Sequence, residues 1–372
     1  MATYQRPLQA PESMTEKLWS LLTSVPVLQG FDANCADICI AATQEGSRCS
    51  LVLQLPHWLK NQESRIQAAL NTAFASDYSA VNIQYEWLEM TPALTAGREP
   101  IAGVKHILAI ASGKGGVGKS TTAVNLALAL QTLGAKVGML DADVYGPSQT
   151  VMLNIEGARP EMLEGKRMNP VMSPYGIAAI GMGNLVSENT PMAWRGPMAT
   201  GALQQMLRHT QWSDLDFLII DMPPGTGDIQ LTLAQTVPVS GSVIVTTPQD
   251  IALLDAKKGI ELFRKVNIDV LGVIENMATH TCTQCGHQEA IFGEAGGALL
   301  AEQYDTCVLG RLPLKLAIRH DADSGKPSVA ADPNSVESRA YIAAAQATVL
   351  QLFLNHVVAG NASGPSITAS DD

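Results

Sequence analysis

Two cysteines, Cys282 and Cys285, stand two residues apart in the segment ENMATHTCTQCGHQ, residues 275–288. Thiolates at this spacing can converge on one metal ion or on one iron–sulfur cluster. A tetrahedral site needs four ligands, and this segment supplies two cysteines. The pattern therefore predicts a metal or cluster site whose remaining ligands come from elsewhere.

A phosphate-binding loop is predicted in SGKGGVGKSTT, where residues 113–120 fit the pattern G-x-x-x-x-G-K followed by Ser or Thr. The glycines let backbone N–H groups turn toward phosphate oxygens, and a helix that begins at Ser120 adds its positive dipole end. We expect Lys119 to contact the β- and γ-phosphates and the Ser120 hydroxyl to bind Mg²⁺. The predicted nucleotide-binding residues of this loop are Gly113, Lys114, Gly115, Gly116, Val117, Gly118, Lys119, Ser120 and Thr121.

Acidic residues follow two apolar runs of the sequence. GMLDADVYGPS supplies Asp141 and Asp143, and LIIDMPPGTGD supplies Asp221. A carboxylate at the end of a strand commonly caps the next helix. Beside a phosphate loop, we favour Mg²⁺ binding or orientation of the attacking water for at least one of the three. The guanine-reading pattern, Asn or Thr followed by K-x-D, is absent from the sequence, which favours ATP over GTP.

Strand–helix alternation is predicted to position these groups. Continuous apolar runs are typical of parallel strands covered by helices on both faces, and helical stretches such as STTAVNLALALQTLG separate them. We therefore predict an α/β fold with a doubly wound, mostly parallel P-loop sheet. The predicted strands are HILAIAS, KVGMLDAD, LDFLIIDMPPG, SVIVTTP and VLGVIENM.

A segment rich in Pro, Gly, Ala and Thr marks a domain boundary before this alternation. We predict a small α+β domain over residues 1–92, a linker over 93–103, the P-loop domain over 104–358 and a disordered tail over 359–372. Period-2 and helical patterns in the small domain predict, in order, the helix SMTEKLWSLLTSV, the strands ADICIAAT and SRCSLVLQLP, the helix ESRIQAALNTAFA and the strand AVNIQYEWLEM.

The composition narrows the class of protein. A net charge of −11, from 24 Lys and Arg against 35 Asp and Glu, argues against a general affinity for nucleic acid or an anionic membrane. The beginning of the chain lacks the apolar core of a signal peptide, and no apolar run approaches the roughly 18–20 residues of a membrane span. The six cysteines are too scattered for a disulfide framework. We expect a soluble cytoplasmic protein that binds neither nucleic acid nor membrane.

These motifs carry a family resemblance. KGGVGKST, with Lys114 inside it, is similar to the deviant Walker A loop of the MinD/ParA/nitrogenase-iron-protein class of ATPases. Within that class the chain resembles the Mrp (ApbC-type) iron–sulfur cluster carriers over roughly residues 100–340. Residues 1–92 resemble, more weakly, the small assembly-factor domain often fused ahead of these ATPases. The segments that match the carriers are DADVYGPS, WRGPM, DMPPGTGDIQLTLAQ, TTPQDIALLDAKKG and ENM followed by C-x-x-C-G-H.

The resemblance implies that the protein binds ATP and Mg²⁺, hydrolyses ATP slowly, forms a homodimer and transfers a labile [4Fe–4S] cluster to apo iron–sulfur proteins. Many relatives also carry a cysteine used for cluster work in the small domain. Here we interpret all three cysteines of that domain as core residues. The implied roles are signature lysine for Lys114, phosphate lysine for Lys119, switch I carboxylate for Asp143, switch II carboxylate for Asp221, adenine contact for Asn276 and cluster ligands for Cys282 and Cys285; the three small-domain cysteines are Cys35, Cys39 and Cys49.

Other interpretations stay open at this point. Lys114 is either a solvated loop charge or a cation that reaches a nucleotide on a facing subunit, as an arginine finger does. The chain could be a ParA/MinD-like positioning ATPase, although its end cannot form the amphipathic helix of the membrane-bound forms. The cysteine pair could form a redox disulfide or, with His287, a structural zinc site.

We favour the cluster carrier and predict that the missing ligands are the same two cysteines on a second copy of the chain. Cys307 is a weaker candidate, because TCVLGRLP is typical of a buried strand.

Overall fold

The computed structural model describes residues 39–89, 98–185 and 196–362. These residues fall into two compact units, a smaller one that contains residues 39–89 and the end of the last helix after residue 348, and a larger one over 98–348. The first predicted helix, Cys35 and residues 93–97 of the predicted linker lie outside the described residues.

Residues 39–89 of the smaller unit form a three-stranded sheet and one α-helix. Strands β1 (Cys39–Glu45) and β2 (Arg48–Pro56) pair in antiparallel fashion, and α1 (Glu63–Phe74) leads to β3 (Ala80–Leu88), which lies parallel to β2. These elements match the predicted strands and helix. One face of α1 carries buried apolar residues at helical spacing, namely Ile66, Leu70 and Phe74.

Cys49 on β2 is 1% exposed, and burial raises the pKa of its thiol to about 11. Cys49 is therefore a core residue, as predicted. The side chain of Cys39 lies outside the described part of the chain.

The described residues of the larger unit are built on a nine-stranded sheet. The strands are β4 (Val104–Ala111), β5 (Val137–Asp141), β6 (Val171–Met172), β7 (Ala178–Gly181), β8 (Leu215–Asp221), β9 (Gly241–Thr246), β10 (Val270–Thr281), β11 (Gln288–Glu289) and β12 (Val308–Leu314). Their order is β11–β10–β9–β4–β8–β5–β7–β6, and β12 also pairs with β10. Within the described part of this nine-stranded sheet, only the short strands β6 and β11 pair in antiparallel fashion with their neighbours. The predicted mostly parallel α/β sheet is confirmed.

Helices alternate with these strands along the chain. They are α2 (Lys119–Thr132), α3 (Gln149–Met152), α4 (Met182–Leu185), α5 (Gly196–His209), α6 (Asp228–Thr236), α7 (Asp250–Lys265), α8 (Gly296–Gln303), α9 (Leu316–Asp323), α10 (Ser328–Ala331) and α11 (Val336–Ala362). Every residue of β5 and β9 is buried, so the side chains on both faces of these strands are covered. That burial explains why the strands are continuous apolar runs.

The last helix, α11, reaches Ala362 and so extends into the segment predicted to be a tail from residue 359. Residues 359–362 of the predicted tail are therefore helical, and residues 363–372 lie outside the described part of the chain. None of the described helices is both long enough and apolar enough to cross a membrane.

Candidate nucleotide and cluster sites

The predicted phosphate loop connects β4 to α2, so it lies between a strand and a helix as the motif requires. Gly116 and Gly118 both have a φ of +83°, a backbone conformation that favours glycine. A Cβ atom on Gly113 would lie 2.0 Å from the carbonyl oxygen of Asp255 on α7. Glycine at position 113 therefore lets the loop pack directly against the backbone of α7.

The lysine of the loop is buried against an acidic partner. The Lys119 side chain is 6% exposed, and its ammonium forms an ion pair with the Asp221 carboxylate, which is fully buried at the end of β8. The same ammonium lies 3.3 Å from the hydroxyl oxygen of Ser120. Buried charges require such pairing because they have lost their hydration. A nucleotide phosphate would offer Lys119 a second anionic partner.

Asp141 shapes the segment that follows β5. Its Oδ1 accepts the N–H of Asp143 at 3.0 Å, and its Oδ2 accepts the N–H groups of Ser148 at 2.9 Å and Gln149 at 3.0 Å. Burial, and next the charge of Asp221, raise the pKa of the Asp141 carboxyl to about 7. Asp141 is therefore mainly an acceptor that folds this loop against the phosphate site.

Asp143, the predicted switch I carboxylate, lies in the same group of charges. Its side chain is 9% exposed, and burial raises its pKa while the charge of Lys119 lowers it. Its Oδ1 accepts the N–H of Gly146 at 3.2 Å. The structure thus brings Lys119, Asp141, Asp143 and Asp221 together at the carboxyl edge of the sheet.

The oxygen atoms at this edge are of the kind that Mg²⁺ binds. Mg²⁺ prefers carboxylate and hydroxyl oxygens together with several water molecules. The Ser120 hydroxyl and the carboxylates of Asp143 and Asp221 provide such oxygens. Ser120 and Thr121 lie in the first turn of α2, where the motif expects them. These residues fit a Mg²⁺–nucleotide complex.

Gln149 belongs to this site although no motif pointed to it. Its Nε2 donates to Asp221 Oδ2 at 2.8 Å and to the carbonyl oxygen of Ser120 at 3.0 Å. The available signal was its position directly after the acidic segment DADVYGPS. That position alone does not reveal that the loop returns to contact Asp221.

Asn276 contacts the phosphate loop. It is 6% exposed, and its Nδ2 donates to the carbonyl oxygen of Val117 at 2.8 Å. A Cβ atom on Gly118 would lie 2.2 Å from that nitrogen, so this contact depends on the glycine. The adenine contact implied for Asn276 stays a prediction, and in this structure the side chain has a backbone partner.

Lys114 is partly exposed within the loop. The Ser112 hydroxyl donates to its backbone carbonyl at 2.9 Å. Throughout the described ranges, no carboxylate forms an ion pair with its ammonium. Its action on the nucleotide of a second subunit stays a prediction.

The cysteine pair lies in the turn of a β-hairpin. Strand β10 pairs with β11 through His280 with Glu289 and Thr281 with Gln288. Within the turn, the N–H of Cys282 donates to the carbonyl of His287 at 2.9 Å. The two cysteines therefore lie in a hydrogen-bonded hairpin.

The two thiols are accessible and can bind a metal ion or a cluster. Cys285 is exposed, Cys282 is partly exposed, and both are free. The backbone N–H of Cys285, then that of Gln284, and next the thiol of Cys285 lower the pKa of the Cys282 thiol by donating to its sulfur. Because the thiolate is the form that binds metals, this geometry favours a metal or cluster ligand.

The pair is an incomplete ligand set within one chain. Among the described residues, no group of three or more His, Cys, Asp or Glu side chains is placed to hold a metal ion. The zinc interpretation needs His287 as a third ligand, and in this structure His287 does not form a metal-binding group with the two cysteines. Cys307 precedes β12 rather than lying within it; its thiol donates to the Leu271 carbonyl at 3.3 Å, and burial raises its pKa to about 11.

The two sites are separate but share strand β10. Asn276 contacts the phosphate loop, and Cys282 follows it six residues later on the same strand and turn. Between them, Met277 has a φ of +57°, and the pairing of β10 with β12 is irregular between Glu275 and Thr279. The irregular part of β10 therefore lies between Asn276, which contacts the phosphate loop, and the cysteine hairpin.

Comparisons with known proteins match the larger unit. The ParA family model, described as NUBPL iron-transfer P-loop NTPase, matches residues 103–349. An iron–sulfur cluster carrier protein of Pseudomonas fragi is 64% identical over 236 residues, which are 63% of this chain and 82% of the relative. The iron–sulfur cluster carrier protein of Escherichia coli K12 is 57% identical over 253 residues, 68% of each chain.

Among solved structures, a nucleotide-binding protein of Archaeoglobus fulgidus in complex with ADP is similar to this chain. The TM-score is 0.54 at 33% sequence identity, and the match covers 60% of this chain and 88% of that chain.

Proposed function

Because the chain belongs to the NUBPL iron-transfer family of P-loop NTPases, we propose that this iron–sulfur cluster carrier holds a labile [4Fe–4S] cluster between two copies of itself. The cluster is cargo, bound by Cys282 and Cys285 of each copy and handed on to apo iron–sulfur proteins. ATP binds together with Mg²⁺ at the phosphate loop, and the ATP is hydrolysed slowly. Loading or release of the cluster depends on that nucleotide.

The incomplete cysteine pair carries this proposal. The hairpin presents two accessible thiols, and within the described residues no third ligand stands beside them. A two-fold axis doubles whatever one surface presents, so two hairpins supply four thiolates to one cluster. A cluster held in this way leaves when the subunits separate, which accounts for its lability.

The contact between Asn276 and Val117 supports a link between nucleotide and cluster. The phosphate loop and the cysteine hairpin are joined through one strand, so a change in the loop can reach the hairpin through β10. Lys114 is proposed to reach the nucleotide of the second copy, where it completes the site for hydrolysis.

No observation favours the two alternatives. A positioning ATPase that binds the nucleoid needs a basic surface, whereas this chain has a net charge of −11. A structural zinc site needs further ligands, and the described residues do not place any beside the pair.

Anaerobic reconstitution with iron and sulfide tests the proposal. We expect the wild-type protein and the matched control Cys307→Ser to acquire the broad visible absorption of an iron–sulfur cluster and to activate an apo [4Fe–4S] recipient. Cys282→Ala and Cys285→Ala should do neither while retaining wild-type affinity for ADP. A cluster that persists in either alanine variant, or a purified protein that holds only zinc, would contradict the proposal.

A further inference from the structure

Gln149 contacts both the carboxylate of Asp221 and the backbone of Ser120 in the nucleotide site. Its side chain is 2% exposed, and its Nε2 reaches Asp221 Oδ2 at 2.8 Å and the Ser120 carbonyl oxygen at 3.0 Å. Lys119 pairs with the other oxygen of Asp221. Both oxygens of this buried carboxylate therefore have donors, one charged and one neutral.

The contacts fix the orientation of the Gln149 amide. An ionised carboxylate and a backbone carbonyl accept hydrogen bonds and donate none, so the nitrogen of the amide must face them. The oxygen, Oε1, then points away from both. Within the described part of the chain, this buried oxygen has no hydrogen-bond partner. A desolvated acceptor without a donor is unfavourable, which indicates that a ligand with a donor group belongs beside it.

We infer that Gln149 is a positioning residue for the groups that bind Mg²⁺ in the nucleotide site. Nε2 holds Asp221 in the orientation that receives Mg²⁺, and Oε1 accepts a hydrogen bond from a water molecule of the Mg²⁺ shell. This inference rests on the proposed binding of a Mg²⁺–nucleotide complex. It assigns to Gln149 a role that no motif of the sequence indicates.

The charges of the site explain why an amide suits this position. Asp141, Asp143 and Asp221 face Lys119, so a further carboxylate would add repulsion and a further cation would compete with Mg²⁺. When Lys119 turns from Asp221 to a phosphate, the carboxylate loses its charged partner. The Gln149 donor remains and keeps Asp221 aligned, because it is also anchored on the Ser120 carbonyl.

The test compares the affinity for ADP with and without Mg²⁺, measured by calorimetry on the full chain. Gln149→Met keeps the length of the side chain but removes both polar atoms. We expect its ADP affinity in Mg²⁺ to fall about tenfold, the effect of losing a hydrogen bond to a charged group. Its affinity in EDTA should stay close to that of the wild-type protein, because Lys119 and the backbone N–H groups of the phosphate loop remain.

Thr150→Val is the matched control, since Thr150 is the next residue of α3 and is also buried. This variant should bind ADP as the wild-type protein does in both conditions. An equal loss for Gln149→Met with and without Mg²⁺ would indicate a merely structural role and overturn the inference, as would no loss at all.

A second variant, Gln149→Glu, keeps the packing but replaces the donor with a carboxylate oxygen. The added negative charge should weaken ADP binding in EDTA more than in Mg²⁺. The ADP affinity of Gln149→Glu should therefore depend more on Mg²⁺ than that of the wild-type protein, whereas the ADP affinity of Gln149→Met should depend on it less. Identical Mg²⁺ dependence in both variants would reject the role of Gln149. Failure of the wild-type protein to bind ADP with Mg²⁺ would instead reject the nucleotide site itself.

Discussion

Replacing Lys119 with alanine should destabilise the nucleotide-free protein strongly. The ammonium is the charged partner of Asp221, whose carboxylate is fully buried, and the remaining Gln149 donor carries no charge. Removing one member of a buried ion pair typically costs about 3–5 kcal/mol, because the other charge is left uncompensated. We expect a loss of that size in the free energy of unfolding of the larger unit.

The chain offers a matched control for this prediction. Lys136 and Asp214 form an ion pair at 2.6 Å, but their side chains are 64% and 69% exposed. Water already solvates both charges, so Lys136→Ala should cost at most about 1 kcal/mol. Both pairs lie in the larger unit, so their comparison separates burial from charge.

The assay is urea unfolding of the nucleotide-free protein in EDTA, followed by far-UV circular dichroism. A chain with two units can unfold in more than one step, so the transition of the larger unit is the one to compare. Asp221→Asn and the double variant with Lys119→Ala complete a mutant cycle. The double variant should regain part of the stability that Lys119→Ala loses, because the Asp221 position then carries no unpaired buried charge. A Lys119→Ala effect no larger than that of Lys136→Ala would refute the reasoning.

Three further predictions concern function. Lys119→Ala should abolish ATP hydrolysis. Lys119→Arg should retain part of the nucleotide affinity but not wild-type turnover, because a planar guanidinium does not replace a compact ammonium at a crowded phosphate. Undiminished turnover of the alanine variant would show that the site assignment is wrong. Mixing Lys114→Ala with Asp143→Ala subunits should restore part of the ATPase activity, since one of the two nucleotide sites in a mixed dimer keeps both Lys114 and Asp143. Mixed dimers with no activity would favour the interpretation of Lys114 as a solvated loop charge. In the reduced apo-protein, iodoacetamide should modify Cys282 at a lower pH than Cys307. The lowered pKa of Cys282 keeps more of its thiol as thiolate, whereas the pKa of Cys307, about 11, leaves almost no thiolate at neutral pH. Peptide mass spectrometry showing the reverse order would contradict this.

The phosphate loop and its carboxylates were predictable because local sequence determines them. An apolar run, a glycine pattern and a following helix place residues 113–120, and Asp221 ends the apolar run of β8. The chemistry of these residues follows from their position in such a unit. Neither requires knowledge of which strands are neighbours.

The contacts of Gln149 and Asn276 were not predictable, because they depend on the order of the strands. Strand β8 lies between β4 and β5, so Asp221 meets both the phosphate loop and the segment after β5. Strand β10 lies two positions from β4, on the other side of β9, and its end brings Asn276 onto Val117. A single sequence does not specify these neighbours.

The hairpin was missed for a different reason. Strand β11 has two residues, Gln288 and Glu289, and both are exposed. Such a strand has no apolar alternation to indicate it. The turn geometry that lowers the pKa of Cys282 therefore became visible only in the structure.

The ratio of cluster to chain tests the central claim most directly. Native mass spectrometry of the anaerobically reconstituted protein, with iron and sulfide determined on the same sample, measures this ratio together with the oligomeric state. The account predicts a dimer with about four iron and four sulfide ions per two chains, and apo monomers when the cluster is removed. A monomer that stably retains a complete four-iron cluster would contradict it.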